Sequence, residues 1–77
     1  MMTLKELDVG QCCKVEKVAA QGMLKRRLFD MGITPGTNIY LRKVAPFGDP
    51  IEITLRGYEL SIRKAEAENI IVKTIEI

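Results

Sequence analysis

Apolar and polar residues alternate from Ile51 to Arg63. Ile51, Ile53 and Leu55 are interleaved with Glu52, Thr54 and Arg56, and Leu60 and Ile62 with Glu59, Ser61 and Arg63. A period of two sends one set of side chains inward and the other into water, the pattern of a half-buried antiparallel sheet. A hairpin turn is predicted near Arg56-Gly57-Tyr58. The same pattern, less regular, predicts a strand from Gln11 to Ala19 after a turn at Val9-Gly10. Cys13 and Val15 point inward in it, and the later shift to Val18 implies a bulge or bend. Another strand runs from Asn38 to Ala45, with Ile39 and Leu41 on one face and Tyr40, Arg42 and Val44 on the other. A last strand spans Ile70 to Ile77 and is apolar on both faces except at Lys73, Thr74 and Glu76. That apolarity predicts a strand that closes a barrel or meets a partner, including a second copy of the chain at a barrel edge.

Only one stretch carries a convincing helical period. From Met23 to Met31, Leu24, Leu28 and Met31 fall at i, i+4 and i+7 as one core stripe. Gly32 is placed to end the helix in a left-handed conformation. Arg26 points away from the stripe, with Met23 and Phe29 on its flanks. Phe29 has two readings, a ring folded over the barrel edge or an exposed contact. Thr34-Pro35-Gly36-Thr37 has the residue order of a type II turn, and Lys64 to Glu68 is a helical turn at most. About five short strands with one helix inserted between the first and second predict a mainly β fold. An SH3-like small β-barrel is the first expectation and an OB-like barrel the second, formed by residues 1–77 as one domain.

Pro46-Phe47-Gly48-Asp49-Pro50 stands between two strands. Its prolines and glycine restrict the backbone, which suits either a tight connection with Phe47 packed over the barrel end or a rigid recognition loop with Phe47 at its tip.

Charge and chemistry narrow the function. Twelve basic and ten acidic residues leave a formal charge of +2, too balanced for a dedicated nucleic-acid binder. The densest basic run, Lys25-Arg26-Arg27, is a solvated helix face or an aid to docking on an acidic surface, and Arg27 can reach Asp30 three residues on. Glu66 and Glu68 flank the short turn near the C-terminus and are expected to be solvated. Cys12 and Cys13 are adjacent, so one belongs to the core and the other to the surface. Free thiols suit the cytosol, and the N-terminus lacks the basic-then-apolar order of a signal peptide. The chain has no histidine, so two vicinal thiols cannot complete a structural zinc site. Asp30, Asp49 and the glutamates offer at most a weak divalent-metal contact. No thiol has an obvious general base and no glycine-rich phosphate cradle is present, so neither an enzyme nor a cofactor site is expected. With four aromatic side chains and no tryptophan, an aromatic peptide groove is not expected either, and Tyr40 and Tyr58 are assigned to the barrel.

Two motifs then stand together, Arg27-Leu28-Phe29-Asp30-Met31-Gly32-Ile33-Thr34-Pro35-Gly36 and Ala45-Pro46-Phe47-Gly48-Asp49-Pro50-Ile51. With Leu60-Ser61-Ile62-Arg63-Lys64 they resemble the FeoA family, the small cytosolic component of the bacterial ferrous-iron transport system, from Leu4 to about Val72. The resemblance implies an SH3-like barrel that assists FeoB, a membrane iron transporter with a cytosolic GTPase domain. Such a protein reaches the membrane only through its partner. On this reading the contact surface comprises Met23, Arg26, Arg27, Phe29, Pro46, Phe47 and Asp49. Phe47 would anchor, Met23 and Phe29 add apolar area, and the two arginines steer. The alternatives are a nucleic-acid-binding barrel, or a metal-sensing module like the barrel of iron-dependent repressors.

Overall fold

Alternation builds one antiparallel sheet, seen in a computed structural model that describes residues 2–75. Its strands are β1 (Met2–Thr3), β2 (Cys12–Val18), β3 (Asn38–Val44), β4 (Ile51–Leu55), β5 (Tyr58–Ile62) and β6 (Ile70–Ile75). They lie in the order β1-β6-β2-β3-β4-β5, every neighbouring pair antiparallel. Helix α1 (Gly22–Asp30) is inserted between β2 and β3, and the short helix α2 (Lys64–Ala67) between β5 and β6. The inward residues form one core, with Cys13, Val15, Ile39, Leu41, Ile53 and Ile62 from the sheet, Leu28 from α1 and Ala67 from α2. The mainly β fold with an inserted helix is therefore present.

Several expectations hold in detail. The register of β2 against β6 shifts between Val15 and Lys17, the bulge that returns Val18 to the core. Leu28 is fully buried, while Leu24 and Met31 pack at the core's margin. Gly32 adopts φ of 91° and ends α1. The β4–β5 hairpin turns on Arg56 and Gly57, both with positive φ, the conformation of a type I′ turn matched to strand twist. The Thr34–Thr37 turn is closed by the Thr37 N–H donating to the Thr34 carbonyl at 3.0 Å.

Other expectations are corrected. A sixth strand, β1, pairs Met2 with Val72 and Thr3 with Ile71; two residues are too few to leave a period. A register shift between Leu41 and Lys43 turns Val44 back toward the core, where it is partly buried, rather than onto the face of Tyr40. The last strand is an interior one, with β2 along one edge and β1 taking Ile71 and Val72 on the other. Ile70 and Val72 are buried in the core, while Ile71 and Ile75 on the other face are half-buried. Glu76 and Ile77, included in the sequence reading of that strand, lie outside the described residues.

Candidate docking surface

Helix α1 is fastened at its C-terminal end by the β4–β5 hairpin. Arg56 Nε donates to the Gly32 carbonyl at 3.1 Å, and Nη2 reaches Thr34 Oγ1 and Thr37 Oγ1 at 2.9 Å each. Thr37 is buried, and its hydroxyl donates to the same Gly32 carbonyl at 3.2 Å. Tyr58 Oη donates to the Met31 carbonyl. These bonds satisfy carbonyls that a helix end leaves without intrahelical donors. A Cβ on Gly32 would stand 3.2 Å from Arg56 Cδ, so that glycine serves both the left-handed turn and the close approach of the arginine.

A second tie joins α1 to α2. Arg27 Nη1 lies 2.9 Å from Glu66 Oε2, not against Asp30 as sequence proximity suggested. Glu66 is mostly buried rather than solvated. Its Oε1 accepts the Arg63 N–H at 3.0 Å. Its Oε2 is buried and, among the described residues, has no aligned hydrogen bond, so the ion pair with Arg27 is its compensation. Asp49 is also structural: Oδ1 accepts the Lys64 N–H at 3.0 Å, fixing the loop of residues 46–50 against the start of α2.

That loop is a β-turn closed by the Gly48 N–H donating to the Ala45 carbonyl at 2.7 Å. Phe47 sits at its apex, 99% exposed. The reading in which the ring packs over the barrel end is therefore overturned, because the turn and the Asp49 bond hold the apex away from the core. Pro46 is exposed beside it. Phe29 is half-exposed, with Lys25 Nζ 5.7 Å from its ring centroid. Tyr40, in β3, and Tyr58, in β5, are half-exposed as well.

Met23, Arg26, Arg27 and Asp30 share the outer face of α1 and, with Met31, line an open groove of about 610 Å³. The structure thus brings Met23, Arg26 and Arg27 together. It leaves Phe29 on the opposite flank of the helix, since residues at i and i+6 diverge by more than a quarter turn. Pro46, Phe47 and Asp49 form a second element, linked to the first through α2 by the Asp49–Lys64 and Arg27–Glu66 contacts. Asp30 and Met31 are groove residues that the sequence reading did not select. Asp30 was considered only as a partner for Arg27 or a metal, and Met31 only as core.

Burial pushes the Cys13 thiol up from its ordinary 9.0 to about 11, with neighbouring Cys12 a lesser cause. It is a core thiol, not a nucleophile. Among the described residues, no three His, Cys, Asp or Glu side chains are placed to hold a metal ion.

A barrel of this topology, with an inserted helix and an exposed aromatic loop tip, defines a small SH3-like protein. The FeoA domain family matches residues 2–74, and the chain belongs to that family. It is similar to the Fe(2+) transport protein A/Fe(2+) transporter FeoB fusion protein of Porphyromonas gingivalis, at 31% identity over 96% of this chain and 9% of that protein's length. The chain therefore spans less than a tenth of that curated relative. Among solved structures it is similar to a FeoA-like protein from Clostridium acetobutylicum, with 41% identity and a TM-score of 0.92, covering 99% of this chain and 88% of the other. It is also similar to Stenotrophomonas maltophilia FeoA complexed with zinc, described as a procaryotic SH3 domain protein. That match has 27% identity and a TM-score of 0.83, covering 95% of this chain and 91% of the other. The donor set here does not fit a structural zinc, since the chain has no histidine and no acidic or thiol cluster among the described residues. Among the described residues no helix is long and apolar enough to cross a membrane.

Proposed function

We propose that this protein is an accessory of ferrous-iron uptake that binds the cytosolic region of a FeoB-type transporter and modulates its assembly or activity. The observation that carries this is the fusion relative. There a segment 31% identical to nearly all of this chain belongs to one polypeptide with a FeoB transporter, and fusion gives two domains a high effective concentration. The surface is compatible with such a role. Phe47 presents a whole aromatic ring on a braced turn, a low-entropy anchor of the kind that dominates interface energetics. Met23 adds exposed apolar area, and Arg26 and Arg27 supply positive charge for steering. Pro46 stiffens the anchor loop, and Asp49 acts through it by holding the loop on α2. Phe29 contributes at the far margin of the helix. The protein would act in the cytoplasm, at the membrane only through its partner.

The test is calorimetric titration of the protein into the transporter's soluble GTPase domain and into the full transporter, with and without a GTP analogue. Binding to either that Phe47→Ala weakens supports the proposal. Absence of heat with both, in both nucleotide states, would contradict it.

A further inference from the structure

The sheet ends at β1 on one side and at β5 on the other. β1 is two residues long, too short to template another strand. β5 is longer, Tyr58–Ile62, with no proline and no register shift against β4, so its backbone carries none of the usual devices that blunt an edge. The turn on Arg56 and Gly57 makes Leu55 and Tyr58 a hydrogen-bonded pair. The alternation of an antiparallel ladder then directs the backbone of Tyr58, Leu60 and Ile62 to β4, and the N–H and C=O groups of Glu59 and Ser61 outward. Both residues are exposed, and among the described residues these outward groups have no hydrogen-bond partner. Arg63, next in phase, is spent on α2: its N–H donates to Glu66 Oε1 at 3.0 Å, and its carbonyl accepts the N–H groups of Glu66 and Ala67. The open edge is therefore confined to Glu59 and Ser61.

We infer that this edge pairs antiparallel with β5 of a second copy of the chain, about a two-fold axis at Leu60. The backbone groups select both the occupant and the register. Against its own copy, β5 can set Ser61 opposite Ser61, Glu59 opposite Glu59, or Glu59 opposite Ser61. The first two leave outward groups unmet, because their next partners would be Arg63, held by α2, or Gly57 in the turn. The third meets them all: the N–H of Glu59 donates to the Ser61 carbonyl of the second copy, the N–H of Ser61 to its Glu59 carbonyl, and both bonds are returned by symmetry. Leu60, partly buried at the core's margin, then faces its own copy across the axis at the closer, non-hydrogen-bonded spacing. That contact removes apolar surface that a single chain leaves in water. The two Glu59 carboxylates lie on a diagonal, each accompanied by Arg42 of its own chain at 3.5 Å. The contact is small against the roughly 1,200 Å² of a stable interface, so the pairing is weak and reversible, with a Kd on the order of 0.1–1 mM. The strand whose apolarity suggested pairing with a second copy, β6, is interior; the edge that can do so is β5.

Sedimentation equilibrium from about 20 µM to about 1 mM should show the monomer passing to a dimer. Over the same range, amide hydrogen exchange at Glu59 and Ser61 is expected to slow, while the amide of Phe47, on its exposed apex, stays fast. The register sets residue 61 opposite Glu59 of the other copy, twice per dimer. Ser61→Lys is therefore expected to tighten association about fivefold and Ser61→Glu to weaken it about fivefold, both effects shrinking at high salt. Ser61 is exposed, and Glu52 beside it on β4 is already contacted by Arg42 and Lys43, so both variants are expected to fold, which the thermal midpoint at low concentration checks. A monomer at every concentration, with freely exchanging Glu59 and Ser61 amides, would overturn the inference. Association in which Ser61→Lys and Ser61→Glu act alike would overturn it too, by placing the contact in another register or on another surface. Slowing of those amides only on addition of the transporter's cytosolic region would make another chain the occupant of the edge, which also overturns it. The inference does not rest on the proposed function, and each of these outcomes is read without it.

Discussion

Removing the Arg56 side chain is expected to loosen the seat of helix α1. The guanidinium makes three hydrogen bonds, to the Gly32 carbonyl and to the hydroxyls of Thr34 and Thr37. Net contributions of about 0.5–1.5 kcal/mol apply to each such bond, the lower end where solvent competes. Two of these bonds are exposed and one is partly buried, which puts Arg56→Ala at a loss of about 1–3 kcal/mol. Arg56 also holds φ of 47°, a left-handed conformation that costs a non-glycine residue about 1 kcal/mol. Asparagine tolerates that conformation but cannot reach across to the second turn. Arg56→Asn therefore separates the two roles. If the side chain clamps the helix end, Asn still costs at least about 1 kcal/mol, or roughly 4–8 °C in midpoint for a domain of this size. Urea and thermal denaturation would measure both variants. A chain this small has only about 3–5 kcal/mol to lose, so the effect is well within range. Equal or higher stability of Arg56→Asn would refute the clamp and leave Arg56 as a turn residue only.

Phe47→Ala should leave the thermal midpoint within about 2 °C, because the exposed ring contributes no core packing, and should weaken partner binding in calorimetry. A large fall in stability would show the ring to be packed. Arg27→Ala leaves the buried oxygen of Glu66 without compensation and should cost about 1 kcal/mol, discounted from a fully buried pair because Arg27 is largely exposed. Combining it with Glu66→Gln should recover part of the loss in a double-mutant cycle, and strict additivity would argue against the tie. Cys13 keeps its proton in the folded state up to about 11, whereas the unfolded thiol ionises near 9.0. Between these values the native state binds one more proton than the unfolded state, so stability falls as pH rises, by about 1.4 kcal/mol per unit from this group. Denaturation of the protein against Cys13→Val between pH 8 and 11 should show the difference, and parallel pH profiles would exclude the assignment.

What the sequence disclosed followed from how local each signal is. The β4–β5 hairpin was legible because alternation and a Gly-containing turn lie within one short segment. Helix α1 was legible because its core stripe and terminating glycine are equally close. Val44 was misplaced because the shift beside Arg42 is set by pairing with β4, which no period within β3 records. β1 escaped notice because a two-residue strand is defined by its partner β6 and not by its own composition. The proposed docking surface was half visible. A proline-bracketed Phe47 marks an apex, and the basic run on α1 marks an outward face. Asp49 and Arg27, however, are held by α2 through contacts between segments distant in the chain. Arg56 was hidden for the same reason: its role lies in the reach of a long side chain from one turn to another.

The most direct test of the account is the affinity of this protein for the FeoB-type transporter's cytosolic region, measured by calorimetry for the unaltered chain, Phe47→Ala and Arg26→Glu. The account predicts saturable binding that both substitutions weaken while both proteins stay folded at an unchanged midpoint. Saturable binding that neither substitution alters would contradict the proposed surface, and the absence of binding to both this region and the full transporter would contradict the function itself.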